Sequence, residues 1–204
     1  MSLIKTLKEF AGIHTGKKII VCGCGVSLVD FKEHHQDFIT IGVNDVSELF
    51  DPTYLLVTDH SGRFSSDRRR RVHGTNAKYV FTCAKGWYHK NLVHFELGSR
   101  SLTNLDHPDR IDHYMNSPYA AAILAYKMGA KNIGLIGVDF TDGHFYNLKD
   151  GKHPIVKSNY LNKVNSAYQT LSSELAKRGT TLVNLSPISN LAIRKISLEE
   201  FKKI

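Results

Sequence analysis

Apolar residues come in short, dense runs separated by polar stretches. Runs at 17–23, 38–43, 53–59, 77–83, 92–97, 131–140 and 180–186 are too short for buried helices and favour β-branched or aromatic residues. Each predicts a strand apolar on both faces, the pattern of a parallel sheet covered on both sides. Between them the period changes. Leu3, Ile4, Leu7, Phe10 and Ala11 recur at helical spacing and predict an amphipathic opening helix. "SPYAAAILAYKMGA" (117–130) predicts a helix with Ser117 as N-cap, Pro118 in the first turn and Gly129 as its stop. A longer helix is predicted over about 159–177, closed by Gly179, and a short one over 197–203.

Strands alternating with helices over 204 residues predict one doubly wound, Rossmann-like α/β domain with a mostly parallel sheet, spanning 1–204. Ligands of such sheets sit outside the carboxyl ends of the strands. The candidates are therefore the residues just after strands: Gly23 to Ser27, Asn44 and Asp45, Thr58 to His60, the stretch before Ser117, and Asp139 to Tyr146.

The formal net charge of +8 calls for an acidic partner, which nucleic acid, an anionic membrane or a phosphorylated small molecule would supply. The densest basic run, Arg68 to Arg71, fits a solvated surface segment, with phosphate or nucleic-acid contact left open. No RNA-recognition signature or Cys/His finger supports nucleic acid. No apolar run approaches the roughly 20 residues of a membrane span, and the first residues lack the apolar core of a signal peptide. Cys22, Cys24 and Cys83 have no zinc-type spacing, so reduced thiols in a cytoplasmic protein are expected.

"IIVCGCGVSLVD" (19–30) is a strand running into a glycine loop. A dinucleotide fingerprint needs a third glycine, and Leu28 stands in its place. Asp45 lies near the spacing expected of a ribose-binding acid, so NAD stays possible. The loop amides and Ser27 could equally hold a phosphate or ribose, or form only a turn.

A second segment, "NSPYAAAILAYKMGAKNIGLIGVDF" (116–140), joins a small-residue helix to a strand ending Gly-Val-Asp-Phe. With "VCGCGVSL" (21–28), Asn44 after the second strand and the tail "LVNLSPISNLA" (182–192), it resembles the bacterial lipooligosaccharide sialyltransferases. It also resembles the nucleotide-sugar-binding domain of flagellar motility-associated factors. The resemblance runs in order from about Lys17 to Ala192. It implies metal-independent glycosyl transfer from a cytidine nucleotide sugar, linked through CMP or CDP, to a hydroxyl of a carbohydrate-type acceptor. Carried over, Gly23, Gly25 and Ser27 lie by the phosphate or ribose, Asn44 bonds the ribose or phosphate, and Asn116 and Ser117 present the helix N-terminus to the donor. Tyr146 stabilises the leaving phosphate.

The chain departs from the family at Cys24, Pro118 and Thr141, and its lid-like segment, 141–158, is short. The family draws its catalytic histidine from that segment. His153 is the expected base, with Lys157 and His144 as substitutes, since an imidazole of pKa about 6.5 needs no large shift. Asp59 and His60 could contact an acceptor, and Asp139 is expected to brace its loop. Two other readings stay open. One is a pyrophosphokinase on the same scaffold, using magnesium held by Asp139 and Asp142. The other is a non-catalytic nucleotide- or nucleic-acid-binding domain with Arg68 to Arg71 as the contact.

Overall fold

A computed structural model describes residues 5–141, 143–147 and 158–204. The described residues form strands β1 (Lys5–Thr6), β2 (Lys18–Cys22), β3 (Ile39–Val43), β4 (Tyr54–Val57), β5 (Tyr79–Thr82) and β6 (Leu92–His94), then β7 (Glu96–Leu97), β8 (Arg110–Ile111), β9 (Asn132–Ile136) and β10 (Thr181–Asn184). Helices are α1 (Leu28–Phe31), α2 (Ser66–His73), α3 (Ser117–Lys127), α4 (Ser158–Ala176) and α5 (Leu198–Lys203). Eight strands make one sheet in the order β1-β6-β5-β4-β3-β2-β9-β10, and every ladder is parallel. From β2 the chain builds outward through β3 to β6, then returns to lay β9 on the other flank of β2. The order therefore switches at β2, where open α/β sheets bind ligands.

The dense apolar runs are buried on both faces, as predicted. Every residue of β4 and β9 is buried, and α3 packs on β2, β3, β4 and β9 while α4 covers β10. Alanines 120, 121, 122 and 125 of α3 are fully buried, so the helix backbone comes close to the sheet. Gly129, at φ +90°, ends that helix as expected. Its N-cap is one residue earlier than predicted: Asn116 Oδ1 accepts the Tyr119 N–H at 3.1 Å, a job suited equally to Asn and Ser.

Two further expectations are corrected. The opening helix is an edge strand, Lys5 pairing with Val93, followed by a single 3₁₀ turn, Leu7–Phe10. Sheet pairing together with the Thr6–Glu9 capping box overrides the helical spacing, while Leu7 and Phe10 still reach the core. The run at 92–97 splits into two strands. Phe95 N–H still bonds β5 at Thr82, but Glu96 N–H turns to Asp109, and β7 pairs with β8 in a separate ladder. The arginine run, for which the sequence predicted no element, forms helix α2, capped by Ser65.

Candidate functional site

β2 ends in Gly23-Cys24-Gly25 and β9 in Gly137-Val138-Asp139, and the two turns interlock. The Gly23 N–H donates to Ile136 O at 2.8 Å, and the Gly25 N–H to Gly137 O at 2.7 Å. The Asp139 carboxylate accepts the Ser27 N–H at 2.9 Å and the Ser27 hydroxyl at 2.6 Å, while Ser27 Oγ accepts the Gly137 N–H at 3.0 Å. A Cβ on Gly25 would stand 2.4 Å from Asp139 Oδ2, so the neighbouring turn itself demands glycine. The expectation of free loop amides needs correction here, because those of Gly23, Gly25 and Ser27 are spent inside the protein. Ser27 is buried with its hydroxyl committed. Asp139 braces the loop as expected, and both its oxygens are engaged.

Next to this brace lies a cavity of about 550 Å³, within the ordinary range for small-molecule sites. Six segments line it: Cys24 and Gly25 after β2, Val43 and Asn44 at the end of β3, Asp59 after β4, 115–118 at the start of α3, Gly137 to Thr141 with Gly143 and His144 after β9, and Tyr160 of α4. Asn44, Asn116 and Ser117 are thus brought together by the fold, with Gly25 but without Gly23 or Ser27 in the lining.

Backbone strain collects here. Among the described residues the non-glycine positions with positive φ are Asn44 (53°), Met115 (50°) and Phe140 (50°), and all three line the cavity. Each left-handed residue of this kind costs about 1–3 kcal/mol and clusters at functional sites. Asn44 is anchored by its N–H to Leu56 O at 3.2 Å, yet its Oδ1 is buried with no hydrogen-bond partner among the described residues. Asn116 Oδ1, by contrast, takes both the Tyr119 N–H and the Tyr168 hydroxyl, at 3.1 and 2.8 Å. The Ser117 hydroxyl lies 3.0 Å from that of Thr58.

His144 lines the cavity, its ring 5.1 Å from that of Tyr146. Tyr146 is outside the lining. It lies over the Arg68 guanidinium at 5.5 Å, and burial pushes its hydroxyl pKa up to about 12. His153, Lys157 and Asp142 lie outside the described residues.

Asp45 is not the ribose-binding acid of the NAD alternative. It is fully buried, and Arg68 holds it through Nε and Nη2. Burial alone would lower the Arg68 pKa, but the bonded carboxylate leaves it raised. Arg71 Nε pairs with Glu48 at 2.7 Å and its Nη1 lies 3.8 Å from Asp45 Oδ1, so two of the four arginines are half-buried and paired within the protein. Arg69 and Arg70 are exposed, Arg70 against Asp67. Cys24 donates to Val43 O, and burial raises its thiol to about 12; burial raises Cys22 as well.

Met115 and Phe140 fall inside candidate stretches of the sequence, but their left-handed backbone was not foreseen, and Tyr160 was not found at all. Phe140 ends a quoted motif, but nothing in the letters signals a left-handed Phe or Met, and Tyr160 reaches the cavity from a helix distant in sequence.

No family model matches the sequence, and no curated protein does. Solved structures do. A MAf glycosyltransferase from Magnetospirillum magneticum AMB-1 superimposes over 94% of this chain with a TM-score of 0.57 at 12% identity. The two share a fold. This chain spans only 37% of that protein, so the likeness concerns one part of it. The sialyltransferase CstII from Campylobacter jejuni, solved with cytidine-5'-monophosphate as a substrate analogue, matches 87% of this chain and 83% of its own at a TM-score of 0.49 and 14% identity. The likeness to that MAf glycosyltransferase is one of fold, and among the described residues no helix is long and apolar enough to cross a membrane.

Proposed function

We propose that this chain, as a single domain, is a glycosyltransferase that binds a cytidine nucleotide sugar in the 550 Å³ cavity and passes the sugar to a hydroxyl acceptor without a metal. One observation carries the reading: the left-handed non-glycine residues among those described, Asn44, Met115 and Phe140, meet at this cavity. The glycosyltransferase-like fold and the ordered sequence motifs support it; the cytidine base comes from the motifs.

In this reading the Asn44 amide turns into the cavity, where Oδ1 accepts a hydrogen bond from a donor hydroxyl or amino group. Helix α3 is eleven residues long, and its N-terminus, at Asn116 and Ser117, turns a partial positive charge toward the donor phosphate. His144 removes the proton from the acceptor hydroxyl. The acceptor oxygen then bonds to the anomeric carbon while the carbon–oxygen bond to phosphate breaks, its electron pair leaving with CMP. Developing negative charge on that phosphate meets dipoles already in place.

The test is a melting-temperature panel. CMP at about 100 times its dissociation constant adds about 2.7 kcal/mol of stability, a clear shift, with a chelator present. A larger shift with NAD, a shift that needs magnesium, or none with any cytidine nucleotide overturns the reading.

A further inference from the structure

The carboxyl edge of the sheet changes character beyond the cavity. β4 and β5 follow β3 in the sheet, so the loops after them continue that edge. At about 4.8 Å between strands, the end of β5 lies roughly 10 Å from that of β3. Asp59 belongs to both regions. It lines the cavity, its carbonyl accepts the Trp87 Nε1–H at 2.8 Å, and its carboxylate pairs with Arg63 at 2.9 Å.

The loop after β5 is a fixed platform. Trp87 is buried, edge-on to Phe64 at 5.0 Å and to His73 at 5.5 Å. Gly86, at φ +84°, folds onto the Ser61 turn so closely that a Cβ would stand 2.1 Å from Ser61 Oγ. The next ring is turned outward: Tyr88 is 74% exposed, with His73 against its edge at 5.7 Å. Around it the charge is positive. Segments 58–63 and 83–90 hold Arg63, Lys85 and Lys90 against one acid, Asp59, which Arg63 already pairs. The described cavity lining is the opposite, with two aspartates and no lysine or arginine.

We infer that this strip is the acceptor surface, and that its occupant is an oligosaccharide bearing carboxylate or phosphate groups. The inference rests on the transferase reading of the cavity. Tyr88 offers a flat, amphipathic face to a sugar ring at low entropic cost, and Lys85 and Lys90 attract its anions. A single ring flanked by few cations does not make the succession of stacking platforms that single-stranded nucleic acid uses. Exposed cations are individually weak and screened, so binding is salt-sensitive and needs the ring as well.

Fluorescently labelled hexasaccharides test this, in low salt with CMP present: one of galacturonic acid, one phosphorylated, and neutral maltohexaose. At least one acidic probe binds, and the two acidic arms tell carboxylate from phosphate. Maltohexaose binds about tenfold more weakly or not at all, and Tyr88→Ala and the pair Lys85→Ser with Lys90→Ser each cost the acidic probe about tenfold. Both variants change exposed side chains and keep the CMP melting shift. Equal binding of maltohexaose, unchanged binding in both variants, or tighter capture of a single-stranded oligonucleotide overturns the inference. If CMP shifts nothing in the parent protein while Tyr88→Ala still abolishes acidic-probe binding, the donor reading fails and the surface stands.

Discussion

Arg68 holds Asp45 from two nitrogens at once, with Nε 3.0 Å from each carboxylate oxygen and Nη2 2.6 Å from Oδ2. Asp45 is fully buried, whereas the Arg68 side chain is 30% exposed. The two partners are therefore unequal. Arg68→Met leaves a buried carboxylate with only the longer Arg71 pair, Nη1 3.8 Å from Oδ1, and costs about 3 kcal/mol, the lower end for a broken buried pair. Asp45→Asn leaves a guanidinium that can turn to solvent, and costs less. Urea midpoints check the order. Equal losses would mean that the carboxylate finds another partner.

Asn44 separates strain from recognition. Asn44→Gly removes the amide and relieves the left-handed backbone at φ 53°, so stability is kept or rises. The CMP melting shift disappears. Asn44→Ala keeps the strain without the amide and costs about 1 kcal/mol more than the glycine variant. A full CMP shift in Asn44→Gly would remove the amide from the donor site.

His144→Ala lowers turnover by roughly 10²–10⁴-fold, the usual worth of a positioned base, and leaves the CMP shift intact. Single-turnover assays with a CMP-linked sugar read it. His153→Ala and Lys157→Ala belong in the same series. A loss confined to His153→Ala would move the base to that residue, and full turnover in all three would leave the site without one.

Stability falls on the alkaline side. Burial raises Cys24 from 9.0 to about 12 and Cys83 to about 11. It likewise raises Tyr146 from 10.0 to about 12. Between the unfolded and folded values the native state binds more protons than the unfolded one, so the slope of stability with pH is negative. The contribution is complete below pH 9, shrinks from pH 9 upward and is lost by about pH 12. Urea midpoints from pH 7.5 to 11 follow it. A flat profile would show these groups reaching solvent in the native state.

The strands were legible because burial on both faces leaves a dense apolar run, as at 19–22 and 132–136. Helix α3 was legible for a related reason, its alanines marking a close approach to the sheet. The opening segment misled because Leu7 and Phe10 are spaced alike in a 3₁₀ turn and a helix, and pairing with Val93 is decided far away. At the site, Asn44, Asn116 and Ser117 could be found because they follow strand ends or open a helix. The letters of "GCGVS" could not show that the glycine amides are spent on Ile136 and Gly137. That depends on β9 lying beside β2. The pairing of Arg68 with Asp45, 23 residues apart, was likewise invisible in a run of identical arginines.

The Ser27–Gly137 contact spans 110 residues of sequence. A ribosome adding about 5–20 residues per second needs roughly 6–22 s to supply them. Through that interval β2 has β3 available on one side and nothing on the other, leaving an open strand edge at the centre of the future sheet. The cavity cannot exist before β9 arrives, since seven of its lining residues, Gly137 to Thr141 with Gly143 and His144, lie in the segment just after that strand. A nucleotide in the cell therefore cannot guide early folding of this chain, and it can stabilise only a molecule whose sheet has already closed around β2.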